Sequence, residues 1–396
     1  MIGSHYVPAP SSRDPKTSTT QHLNSGKDHT MSDDEADPEL LALLRQHFQG
    51  KLNLDEEPET GVLEGAEFVY DNSIDVALDM RATKIAAEMI YAQMKEKEYS
   101  TTNWAEHELH PKTKDESTVA FIFTMDLLNF SFWSLLPDDE RFAVSYRDKR
   151  WTGYWSLVAS LQRALDEDIP ITDPHYWQNE DECTLVSLRH VFRSCTEEEI
   201  PLLEARLECL REAGRVLYEK YNCSFTNCIS AAKGSAAGLV NLLACDFRCF
   251  RDEHPFDGRR KPVRLLKRAQ ILVADLWACF NGERYGEFRD IDKITMFADY
   301  RVPQILSSLG CIGYSPPLHA LVSKGEVIDS GSRLEMQLRA CSIWCVELLR
   351  RQIKQDHPEA TVNAILIDFF LYDMMKRWEA EGRETMPHHR TRSIWY

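Results

Sequence analysis

From Val62 onward the chain repeats one pattern, apolar side chains three and four residues apart with charged residues between them. Glu197–Tyr221 shows it most fully. There Leu202, Leu203, Ala205, Leu207, Leu210 and Ala213 form one inward face, the stripe that an amphipathic helix buries. Asp75–Lys95, Cys183–Phe192, Asn227–Leu243, Arg264–Phe280, Ser332–Lys354 and Thr361–Glu379 extend the series, and Ser73 is the nearest cap for the first of them. Arg150–Ala164 reads as an aromatic-rich turn followed by a helix. Val119–Phe132 is so densely apolar that it fits a buried helix, or a strand and a turn. No segment alternates with period two for long enough to build a sheet, and no internal repeat occurs. The expected fold is all-α.

With 396 residues, 43% of them hydrophobic, the chain can bury a large core, read here as one helical domain over residues 61–396. Residues 1–60 are polar and acidic with few aromatics, and read as a disordered leader. Pro38–Phe48, PELLALLRQHF, could form a short amphipathic helix within it. The absence of a bilayer-length apolar run and of a hydrophobic signal region points to a soluble, cytoplasmic protein. Eleven cysteines without a C-x-x-C fit reduced thiols, with no metal or cofactor expected. Cys341 and Cys345, one helical turn apart, suit packing.

Charge narrows the ligand. Forty-six basic against sixty-three acidic side chains give −17, which opposes binding to a polyanion. A small anionic ligand suits this chain better than DNA or intact tRNA.

Asn281–Gln304, NGERYGEFRDIDKITMFADYRVPQ, concentrates acids, aromatics and glycines between two helical segments. Gly282 and Gly286 permit a turn. Ile294, Met296 and Phe297 pull the chain inward towards Asp299, and Pro303 sits well in the first turn of the next helix. A carboxylate between Phe297 and Tyr300 loses hydration, so Asp299 is either a capping acid or a working one. Asp126 and Asn129 are read as orienting their neighbours, Asp275 as structural, and Phe247–Val263 as a surface loop. Ala231–Gly238, AAKGSAAG, lacks the phosphate-loop order and reads as close helix packing. No catalytic triad, H-E-x-x-H or dinucleotide fingerprint is present.

ITMFADYRVPQ, with RAQILVADLW (Arg268–Trp277) and TMDLLNFSFWS (Thr124–Ser134), resembles the queuosine salvage protein family, over about Val62–Trp378. The resemblance implies a queuosine 5'-phosphate N-glycosidase with a helical fold related to the DNA glycosylase (helix-hairpin-helix) superfamily. It implies base contacts at His110, Phe297 and Asp368 and places Asp299 at the sugar. Lys267, Tyr372 and Tyr154 transfer more loosely. The substrate's flat base suits stacking on Phe297, and its cationic amine and diol suit Asp368. Its 5'-phosphate needs a cation, for which Lys267, Arg301 and Lys376 are available. Asp368, Tyr372 and Lys376 fall at i, i+4 and i+8 on one helix face. The expected partners are this nucleotide and queuine, bound by a monomer. Leu309–Gly313 is similar to the hairpin of helix-hairpin-helix proteins, but it follows the acid instead of preceding it. The alternatives are a nucleic-acid repair glycosylase and a non-enzymatic helical protein with an open aromatic groove.

Overall fold

The computed structural model describes residues 58–101, 104 and 106–396. The expected leader and the Pro38–Phe48 helix lie outside these, apart from Pro58, Glu59 and Thr60. Those three are tied to the body: Asn241 donates to the Glu59 carbonyl at 3.0 Å, and Thr60 is buried. Removal of residues 1–55 is therefore expected to leave the melting temperature and the catalytic rate close to those of the full chain. A drop of several degrees in a thermal melt would show that the removed segment supports the fold.

The described residues are mostly helical. In chain order the helices are α1 (Val62–Asp71), α2 (Met80–Glu96), α3 (Glu116–Leu127), α4 (Tyr154–Asp166), α5 (Pro174–Gln178), α6 (Leu185–Val191) and α7 (Leu203–Tyr221). They continue as α8 (Phe225–Ala231), α9 (Ala236–Asp246), α10 (Lys267–Cys279), α11 (Arg301–Ser308), α12 (Pro316–Lys324), α13 (Arg333–Asp356) and α14 (Ala364–Ala380). The ambiguous run at Val119–Phe132 resolves into α3, capped by the Asp115 carboxylate, followed by irregular chain.

Short sheets also occur, as three antiparallel two-stranded ribbons. β1 (Val76–Leu78) pairs with β6 (Ile312–Tyr314), β2 (Val144–Tyr146) with β3 (Lys149–Trp151), and β4 (Glu253–His254) with β5 (Val263–Arg264). Strands of two or three residues are too short to show a period of two. β1 occupies the start of the expected Asp75–Lys95 helix, so Asp79, and not Ser73, caps α2 by accepting from Arg81 N and Ala82 N. Ser73 instead donates to Gln337 Oε1 at 2.7 Å, tying the β1 turn to α13.

α13 is the axis of the core. It packs against α1, α2, α11, α14 and β1, and it is buried over most of its length. It also buries Glu335 and Arg339, which would be costly without partners. Arg339 is the shared cation, pairing with Glu335 on its own helix and with Asp252, within the stretch read as a surface loop. That stretch is only partly surface: Phe247, Phe250, Phe256 and Val263 are buried, as is Asp252, while Arg251, Pro255, Asp257 and residues 260–262 are exposed. Arg339 Nη2 meets Asp252 Oδ2 at 2.6 Å, and Arg339 Nη1 meets Glu335 Oε1 at 3.2 Å.

Two glycines in the central stretch act by different means. Gly282 turns the chain with φ +73°, in the region that a Cβ penalises. Gly286 allows close approach, since a Cβ there would lie 2.5 Å from the Leu276 carbonyl oxygen on α10. Further along, Asp290 accepts from Ser235 Oγ and Ala236 N at the start of α9. The AAKGSAAG segment is thus a helix break docked on the central stretch.

Candidate active site

Residues 294–300 run as irregular backbone through the interior. Buried backbone of this kind must find its hydrogen bonds outside regular structure. Three helices supply them. From α10, Gln270 Oε1 accepts from Thr295 N at 3.0 Å. From α14, Asp368 Oδ2 accepts from Phe297 N at 2.9 Å. From α13, Arg339 Nε donates to the Ala298 carbonyl at 2.8 Å. The next residue is Asp299, so its position is fixed by contacts from α10, α13 and α14.

Asp299 Oδ1 accepts from Arg301 N at 2.8 Å and Val302 N at 3.0 Å, capping α11. The capping role foreseen from sequence is therefore real. It also leaves a carboxylate in a desolvated setting. Burial raises its pKa, while the Val302 N–H and the charges of Lys267 and Arg301 oppose the rise.

Lys267 is the cation at the centre of the cluster. It opens α10, where Leu266 takes a left-handed conformation and Asp252 Oδ2 accepts from Lys267 N. Its ammonium is buried and reaches the Asn129 carbonyl at 3.4 Å. Its charge acts on four carboxylates, Asp126, Asp275, Asp299 and Asp368. Burial lowers the Lys267 pKa, and Asp299 and then Asp126 pull it back up. Asp368 and Asp275 are both driven well above the carboxylate range, first by burial and then by the neighbouring acid, Asp299 for Asp368 and Asp126 for Asp275. One lysine cannot hold four buried carboxylates fully ionised, so the cluster retains protons or awaits a cationic or donor-rich ligand.

His110 and Tyr154 border this cluster. His110 Nδ1 lies 2.7 Å from the Trp104 carbonyl, which can only accept, so Nδ1 carries the hydrogen. Nε2, 2.8 Å from the Tyr154 hydroxyl, is then the acceptor. Burial lowers the His110 pKa to about 3, so the ring is neutral at physiological pH. Trp104 stacks on His110 with centroids 3.8 Å apart, and its side chain also hydrogen-bonds Asp275. Tyr154 feels Asp275, Asp126 and Tyr372, so the loop histidine is linked to the acids through one phenol.

The face of α14 that carries Asp368, Tyr372 and Lys376 runs from the core to the surface. Asp368 is buried, Tyr372 half-buried and Lys376 exposed. Lys376 Nζ meets Glu379 Oε2 at 3.0 Å, and Arg301 pairs with the same Glu379. Arg141 also acts on Lys376, and both Arg141 and Arg392 act on Tyr300. The outer end is thus cationic, while the inner end is acidic.

The eight residues singled out from sequence fall into one connected region. Phe297 is buried against Phe369 and donates its N–H to Asp368. Lys376 stands furthest out. Asp126, read from sequence as orienting its neighbours, and Asp275, read as structural, share the region. Asp275 lies eight residues beyond Lys267, two helical turns along the same face of α10, and that spacing was the available signal. A separate cleft of about 400 Å³, lined by Thr60, Glu64, Trp344, Glu347 and Arg350 among others, includes none of the eight. Among the described residues no group of His, Cys, Asp and Glu could hold a metal ion, and no helix is long and apolar enough to cross a membrane.

The sequence model described as "Queuosine salvage protein" matches residues 109–396. A Schizosaccharomyces pombe protein named queuosine 5'-phosphate N-glycosylase/hydrolase is 44% identical over 349 residues, covering 85% of this chain and 99% of the relative. Proteins of the same name from Bos taurus and Sphaerobacter thermophilus are 42% and 38% identical, covering 84% and 85% of this chain and 98% of each relative. With identity of this level along nearly the whole length of each relative, the chain belongs to the queuosine salvage protein family.

Proposed function

We propose that this chain hydrolyses the N-glycosidic bond of queuosine 5'-phosphate and releases queuine. It acts as a cytoplasmic monomer on the free nucleotide, without binding DNA or intact tRNA, on a helical scaffold related to the DNA glycosylases. The observation that carries the reading is Asp299, a carboxylate fixed by its own helix cap beside the buried ammonium of Lys267. Cleavage of a glycosidic bond builds positive charge on the anomeric carbon, and a preorganised carboxylate stabilises it. Oδ1 is committed to the cap, so Oδ2 is the oxygen for the sugar. Lys267 favours the ionised form of that carboxylate against burial, a better use of a lysine surrounded by acids than gripping phosphate.

The remaining groups follow the substrate's shape. Phe297 and the neutral His110–Tyr154 pair line the base, and Asp368 takes the cationic arm. Arg301 and Lys376, with Tyr372 between them and the acids, serve the 5'-phosphate. Incubation with queuosine 5'-phosphate and detection of free queuine by mass is the direct test; no release under any condition in which the fold is intact would overturn the reading.

Phosphate recognition gives a further expected result. Lys376→Ala should narrow the preference for the 5'-phosphate over the nucleoside by about tenfold, the low end of the 1.5–3 kcal/mol typical of charge-assisted bonds. The low end applies because Lys376 is exposed and shares Glu379 with Arg301. An unchanged ratio of kcat/KM for the two substrates would move the phosphate away from this end of α14.

A further inference from the structure

Resting on the proposed hydrolysis, we infer that Asp275 is the acid that protonates the base as it leaves, and that Asp126 is the positioning residue that keeps the proton there. The chemistry calls for such a group. A deazaguanine has carbon where guanine has N7, so that site for protonating a departing purine is missing. Asp299, fixed at the sugar and ionised, cannot supply the proton as well.

Geometry favours Asp275. It stands on the same face of α10 as Lys267, two turns further on, and is buried. Lys267 places the sugar end beside Asp299. Asp275 interacts with Asp368 and Tyr154, and Tyr154 bonds His110, so Asp275 belongs to the base end.

Asp126 supplies an independent sign. It is completely buried; Oδ1 accepts from Asn129 Nδ2 at 3.1 Å, while Oδ2 has no hydrogen-bond partner. A buried carboxylate oxygen without a donor destabilises the fold, and natural proteins seldom leave one. Placed against Asp275, it has a use: two buried carboxyls that repel each other cannot both ionise, so the pair holds a proton at a pH where surface aspartates have lost theirs. The other groups around Asp275 are the Trp104 side chain, Tyr154, Asp368, and Lys267 and Cys279 on its own helix. Lys267 alone among these is a cation favouring ionisation.

The step balances simply. The C1'–N9 bond breaks and its electron pair leaves with the base. The Asp275 proton passes to the base, whose freed nitrogen ends as N–H, and Asp275 becomes a carboxylate. Water adds its oxygen to C1' and releases a proton that restores Asp275. The sum is nucleotide plus water giving queuine plus ribose 5-phosphate.

The test is the pH profile of queuine release from queuosine 5'-phosphate by the full chain. Wild-type kcat should fall on the alkaline side as Asp275 ionises. Asp275→Asn keeps the acceptor for Trp104 but has no proton to give. It should lower kcat about a hundredfold, the low end for general acid catalysis, leave KM within a few-fold, and lose the alkaline limb. Asp126→Asn removes the repelling charge, so the limb should move to lower pH, a displacement that loss of packing alone would not produce. A wild-type limb in both variants overturns the inference while leaving the hydrolase intact. Absence of queuine from the wild type strikes the function itself. If Asp275→Asn fails to fold, an unmoved limb in Asp126→Asn is sufficient to reject the pair.

Discussion

Asp299→Asn should reduce kcat by roughly 10²–10³, the range seen when preorganised electrostatic stabilisation is removed, while the protein remains folded. Both halves follow from the division of labour between the two carboxylate oxygens. Oδ1 accepts from Arg301 N and Val302 N, and an asparagine oxygen can do the same, so α11 keeps its cap. The charge is lost, however, and the developing cation at the anomeric carbon then faces a neutral amide. Lys267 also loses the acid that most strongly holds its proton, and whatever charge it keeps is no longer balanced by Asp299. KM for queuosine 5'-phosphate should change far less than kcat. Steady-state kinetics and a thermal melt decide it. Retention of more than about a tenth of wild-type kcat, against the loss expected for such a group, would transfer the role to Asp368.

The parts of this site visible in the sequence are those that lie close together along the chain. Phe297 and Asp299 share one motif, and Asp368, Tyr372 and Lys376 share one helix face, so local chemistry and spacing brought them forward. The amphipathic helices were legible for the same reason, since a period of three to four residues is written within each segment. What escaped depends on partners distant in sequence. Asp252 sits among charged and proline-bearing residues that resemble a surface loop. Its burial is decided by Arg339, 87 residues away. Asp275 lies in VADLW, which looks like any buried helix, and its setting arises only when Asp126 and Tyr154 fold against it. β1 was absorbed into a helix because three residues paired with Ile312–Tyr314 leave no periodic mark. The resemblance to a family supplied roles for His110 and Tyr154 that their surroundings in the sequence do not suggest.

The largest expected effect on stability is at Arg339, whose guanidinium organises both ends of the candidate site. It donates to the Ala298 carbonyl just before Asp299, and it pairs with Asp252, whose carboxylate also receives the N–H of Lys267. Arg339→Met retains bulk but leaves Asp252 and Glu335 buried without their cation. Removal of one partner from a buried pair typically destabilises by about 3–5 kcal/mol.

The pH dependence distinguishes this cause from a simple packing defect. Burial alone would push the Asp252 carboxyl up, but Arg339 and then His254 outweigh it and hold it down at about 2. A carboxyl depressed in the folded state adds stability above its unfolded pKa and loses it as pH falls towards the folded value. In the wild type that loss should begin below about pH 4, the ordinary aspartate range, and continue towards pH 2. Without Arg339 the sign reverses, because burial then raises the same carboxyl and protonation relieves an unpaired charge. The deficit of Arg339→Met should therefore be greatest at neutral pH and should shrink as the pH approaches 4. Urea denaturation at pH 7 and pH 5 measures it. A deficit that is equal at both values would mean that the lost contacts, and not the stranded carboxylates, account for the damage.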